Sequence, residues 1–136
     1  MKHVVYWVPV FVWAGVIFFF SSLQVEISPE FDLQDFLVKK TAHIIEYAIL
    51  FTLIYRALIN AAGFTVSKSF KVAFILIFLY AISDEYHQSF TPGRTPSIRD
   101  VGFDSSGAVL AWIGLWKYLP KAPKKLLSWA RTLQLL

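Results

Sequence analysis

The chain has 136 residues, 57% of them hydrophobic, with a mean hydropathy of +0.56 and no cysteine. Soluble domains carry roughly 45–50% apolar residues, so this composition excludes an ordinary soluble fold, and the missing cysteines exclude disulfides and thiolate metal sites. The net charge of +4 is confined to flanks and loops, which points to membrane topology rather than to a nucleic-acid surface.

A single domain over 1–136 is therefore expected, all-α and polytopic, built as a bundle of four transmembrane helices. Val4 to Phe20 is apolar without a charge and Leu23 extends it, giving a first helix over 4–23. A signal peptide is the competing reading, but no small-x-small cleavage site follows before the polar loop, so the segment is expected to stay as a span. Ser21 to Lys40 then reads as a loop. Within it Ser28-Pro29-Glu30 resembles a helix start, and Phe31, Leu33, Phe36 and Leu37 could form a short interfacial helix. An irregular polar loop fits those residues equally well.

The second helix is expected over 41–62 with Gly63 as its cap, and the third over 70–88 after a short loop. The fourth is expected over 98–119, followed by a basic tail from Lys117 to Arg131. On the fourth helix Gly102, Ser106, Gly107 and Ala111 point to close helix packing. Trp112, Trp116 and Trp129 read as interfacial or lipid-facing anchors. With both termini cytoplasmic, the inside holds Lys2, Arg56, Lys68, Lys71, Lys117, Lys121, Lys124, Lys125 and Arg131. The outside holds only Lys39, Lys40, Arg94 and Arg99. That asymmetry follows the rule that basic residues stay inside, and it places the chain in the cell membrane.

Between the third and fourth helices runs Ala81 to Gly107, AISDEYHQSFTPGRTPSIRDVGFDSSG, where acids, bases and a histidine crowd between apolar segments. Pro92-Gly93 turns the chain and Pro96 stiffens it. Asp84 and His87 are three apart on one helix, as His43 and Glu46 are on another. Asp100 and Asp104 open the fourth. All of these fall at one end of the bundle. Ionisable groups inside a span cost several kcal/mol on lipid, so they must face the interior, a partner or water. A histidine beside carboxylates suits acid–base chemistry, and Arg94 with Arg99, Lys39 and Lys40 suits a phosphate. The imidazole and carboxylate mix would also suit a divalent cation, though no complete ligand set follows from the spacing. The plainer alternative is a network of ion pairs that pins the helix ends.

Lys40-x-x-His43-x-x-Glu46-Tyr47, then Ser83-Asp84-Glu85-x-His87-Gln88, then Pro92-Gly93-Arg94-Thr95, then Asp100 and Gly107 resemble the VanZ-like membrane protein family. The match runs over about positions 39 to 115 and departs at Asp104, where the family pattern carries Asn. The resemblance implies a small four-helix membrane protein linked to teicoplanin resistance, grouped with enzymes that process phosphate-linked head groups. It implies a site with His43, Glu46, Asp84, Glu85, His87 and Asp100 in catalysis, and Lys40, Tyr47, Gln88, Arg94 and Asp104 on the substrate. The expected partner is a membrane lipid or a lipid-linked cell-envelope intermediate, not a nucleic acid. A non-catalytic lipid or glycopeptide binder and a structural membrane module remain as alternatives.

Overall fold

The computed structural model of the chain describes residues 2–24 and 33–135. Within them the chain is helical throughout, without a strand: α1 Lys2–Ser21, α2 Leu33–Asn60, α3 Val66–Gln88, α4 Ile98–Ile113 and α5 Lys124–Thr132. α2 is the centre of the bundle. It packs against α1, α3 and α4, whereas the backbones of α1 and α4 do not approach each other among the described residues.

The centre follows from the sequence pattern. Tyr47, Leu50, Phe51, Ile54, Tyr55 and Leu58 recur at spacings of three and four and are all buried, which forms one continuous stripe along α2. α3 answers with Ser69, Ala73, Ile77 and Ala81, and α4 with Val101, Ala108 and Gly107. Small residues matter because lipid is as apolar as leucine, so helices associate through close packing and hydrogen bonds rather than burial alone. Gly107 shows the tightest approach: a Cβ added there would lie 2.3 Å from the Ile44 carbonyl oxygen. At Gly102 no atom lies within 4 Å of an added Cβ, and Ser106 is only half-buried, so close packing is concentrated at Gly107. Cross-helix bonds fix the rest. The Trp13 indole donates to the Glu46 carbonyl at 2.9 Å and the Tyr80 hydroxyl donates to the Ala14 carbonyl at 2.7 Å.

Three helices are long and apolar enough to cross a membrane: His3–Ser21, Leu33–Asn60 and Val66–Gln88. The expected fourth span differs. α4 has 16 residues, about 24 Å at 1.5 Å per residue, short of the roughly 30 Å hydrocarbon core. Beyond it Gly114–Tyr118 forms a π turn and Leu119–Lys121 a 3₁₀ turn, so the regular α geometry ends while the backbone stays helical.

Other boundaries also move. Thr65 caps α3 by accepting from the Lys68 N–H at 3.4 Å, so the helix begins four residues before the expected start at 70. Leu33, Phe36 and Leu37 are not in a separate interfacial helix but in the first turns of α2, which runs unbroken into the second span. Ser28-Pro29-Glu30 and Phe31 lie outside the described residues. Gly63 behaves as expected, with φ +66 and the Phe64 N–H closing on the Leu58 carbonyl at 3.0 Å. The basic tail folds partly into α5, with Ala130 buried and Trp129 exposed. Trp112 is not a lipid-facing anchor. It packs against Phe70 and Tyr55 with ring centroids 4.4 and 5.9 Å away, whereas Trp116 and Trp129 are exposed.

Candidate functional site

The polar residues extend the buried stripes rather than sitting in the loop. On α3 the stripe through Ala73, Ile77 and Ala81 continues into Asp84, Glu85 and Gln88, all buried. On α4 it passes through Val101, Asp104, Ser105 and Ala108, and on α2 His43 lies one turn before buried Tyr47. α1 supplies Ser21, one turn beyond Ile17 and only 2% exposed. Four helices thus deliver polar side chains to one end of the bundle.

Asp84 is the hub. Its Oδ2 accepts from Ser21 Oγ at 2.8 Å, Gln88 Nε2 at 2.9 Å and Tyr47 Oη at 3.4 Å. His43 Nδ1 lies 3.1 Å from Asp104 Oδ1, across the α2–α4 contact that Gly107 tightens one turn away. Asp84 and Asp104 are 2% and 1% exposed, and Asp84 Oδ1 and Asp104 Oδ2 have no partner among the described residues. One ligand-type atom from each of His43, Asp84 and Asp104 falls within 4.8 Å of the others. Glu46 is half-buried on the next turn of α2.

A second layer holds the helix ends in place. Lys40 Nζ pairs with Asp100 at 2.7 Å and lies 5.8 Å from the Phe36 and Phe103 ring centroids. Glu85 Oε2 accepts from the Ser97 N–H at 2.8 Å, and Ser97 caps α4 by accepting from the Arg99 N–H at 3.3 Å. Thr91 to Arg94 is a turn with Pro92 second and Gly93 third, closed by Arg94 N–H to the Thr91 carbonyl at 3.1 Å. Gly93 has φ +80, the value a type II turn requires at its third residue. That turn aims Arg94 at the end of α1, where its Nη2 and Nε donate to the Phe20 and Leu23 carbonyls at 3.1 and 3.4 Å.

The structure therefore brings His43, Tyr47, Asp84, Gln88 and Asp104 together, with Glu46 alongside. Lys40, Asp100, Glu85 and Arg94 form the surrounding layer. His87 is turned aside: its Nε2 lies 2.9 Å from Ser22 Oγ and its ring stacks on Phe18 at 4.1 Å. The reason is angular. At 100° per residue, His87 falls about 60° outside the edge of the stripe that carries Ala81, Asp84, Glu85 and Gln88. Lys39 pairs with Asp35 at 2.6 Å, on the surface, and Arg99 is exposed. Sequence reasoning missed Ser21, which it placed in the first loop. The signal was present in the seven-and-four spacing of Val10, Ile17 and Ser21, all buried on α1.

A family model described as VanZ/LLP1 matches residues 6–119. The chain belongs to the VanZ/LLP1 family. That match runs from within α1 to just past the π turn, so every residue of the VanZ/LLP1 polar centre lies inside it. No curated protein and no solved structure matches the chain.

Proposed function

We propose that this VanZ/LLP1 protein is a four-span membrane enzyme acting on a phosphate-linked head group of a lipid or lipid carrier, by hydrolysis or exchange. The single observation that carries the reading is the half-buried His43 paired with buried Asp104 beside buried Asp84, at one end of a membrane-type bundle. Asp104 at Nδ1 orients the His43 ring, and Glu46 lies one turn on, so two groups are placed to take a proton from an attacking hydroxyl. The new oxygen–phosphorus bond forms as the bond to the leaving group breaks, and the leaving oxygen regains a proton. Arg94 keeps guanidinium N–H groups beyond its two carbonyl bonds, and these suit phosphate oxygens.

α4 with its π turn reaches from Ile98 to Tyr118 and serves as the fourth span. In this reading both termini are cytoplasmic and the polar centre lies at the outer leaflet, which the distribution of basic residues supports. In this reading the link to teicoplanin resistance belongs to the same site.

The test is turnover. Purified protein in lipid nanodiscs is incubated with a panel of cell-envelope lipids, with and without divalent metals, and released head groups are read by mass spectrometry. Release that is lost in His43→Gln supports the enzyme. Binding of a lipid without product favours a sequestering module. Neither binding nor release, with unchanged glycopeptide susceptibility in cells lacking the protein, favours a structural one. Lys40–Asp100 and the Ser97 N–H to Glu85 Oε2 bond, both made across helix ends, are what such a module would need.

A further inference from the structure

We infer that His43, Asp84 and Asp104 form the binding site of one divalent cation. The inference deepens the reading above and rests on it only for the cation's role in turnover.

The donor chemistry is right. One imidazole and two carboxylates suit a borderline-to-hard divalent ion such as Mn²⁺ or Zn²⁺. The geometry agrees. Three ligand-type atoms lie within 4.8 Å of one another, and neighbouring ligands bound at about 2.1–2.2 Å stand roughly 3 Å apart at a right angle. His43 Nδ1 and Asp104 Oδ1 are 3.1 Å apart.

Two independent observations point to a ligand rather than to an acidic cluster. Asp84 Oδ1 and Asp104 Oδ2 belong to side chains at least nine-tenths buried, yet neither oxygen has a partner among the described residues. The charge balance is also uneven. Among the described residues no Lys or Arg pairs with Asp84 or Asp104: Lys40 pairs with Asp100, and the hydrogen bonds of Arg94 go to the Phe20 and Leu23 carbonyls. A bound cation would offset the charge of two buried acids with Glu46 close by, and would let the site admit a phosphate.

The surroundings are also those of a metal site. Ser21, Tyr47 and Gln88 all donate to Asp84 Oδ2, which fixes the carboxylate and leaves Oδ1 to point elsewhere. This ligand set is not the one that helix spacing suggests, since His87 is turned to Phe18 and Ser22. With His43 as a ligand, Glu46 becomes the group that takes the proton.

The probe is Mn²⁺, titrated into the metal-stripped full chain in nanodiscs and followed by electron paramagnetic resonance. The expected result is one Mn²⁺ per chain, displaced by Zn²⁺, with nitrogen coupling from an imidazole in the pulsed spectrum. His43→Gln removes that coupling. Asp84→Asn and Asp104→Asn weaken binding more than about 10-fold, since even outer-shell changes cost 10–100-fold, whereas His87→Gln binds as the parent does. No stoichiometric Mn²⁺ on the parent chain, or a bound ion without nitrogen coupling, overturns the inference, and neither readout requires the Asp variants to fold. Lipid turnover that persists in the stripped protein overturns the cation's role in turnover and leaves the enzyme standing. A bound ion without turnover of any lipid leaves the cation site standing and removes the enzyme.

Discussion

Gly107→Ala is the sharpest mechanical test of how the centre is assembled. The added methyl carbon meets the Ile44 carbonyl oxygen at 2.3 Å and the Ala48 nitrogen at 3.0 Å, and both belong to the α2 backbone. Backbone cannot rotate away as a side chain can. Ordinary contact begins near 3.4 Å, so α4 must retreat from α2 by about 1 Å. Asp104 sits one turn from Gly107 on the same face, and its bond to His43 is 3.1 Å long. A retreat of that size takes the pair beyond hydrogen-bonding distance. The overpacking costs roughly 1–3 kcal/mol. Gly102→Ala is the control: nothing lies within 4 Å of its added carbon, and replacing an interior helical glycine gains roughly 0.5–1 kcal/mol. Both variants are compared by SDS titration in mixed micelles, following helicity, and by lipid turnover. Gly107→Ala should lose stability and activity together. If it matches Gly102→Ala in both readouts, the close α2–α4 approach does not set the His43–Asp104 geometry and the reasoning fails.

His43→Gln should abolish turnover while His87→Gln retains most of it, a contrast read in one activity assay, because only His43 meets the buried acids. Ser21→Ala removes one of three donors to Asp84 Oδ2 and should lower stability by about 1 kcal/mol in the same titration, with turnover reduced more than stability accounts for. Arg94→Lys keeps the charge but loses the paired carbonyl bonds and the fork of donors, so turnover should fall clearly with helicity unchanged. For topology, single cysteines introduced into this cysteine-free chain should label from outside at Ser89 and not at Lys121. The reverse pattern would invert the proposed orientation.

Much of this protein was legible in its sequence. Apolar run length marked the helices, because a bilayer demands about 20 residues and leaves backbone no other regular option for a chain of this kind. Gly63 and Pro92-Gly93 marked their own conformations, since positive φ and a proline-led turn are local properties. The acids and histidines flagged one end of the bundle, because ionisable groups do not persist in apolar segments without partners. What spacing could not say is which neighbour each stripe faces. Asp84 and His87 share a helix face by count, yet the rotation of α3 against α1 and α2 puts Asp84 on Tyr47 and Ser21 and leaves His87 on Phe18. Asp104 became central only because Gly107 lets α4 close on α2. Ser21 joined the centre because α1 ends at that depth. Those choices belong to helix rotation and separation, which are set by contacts between residues tens of positions apart in the chain.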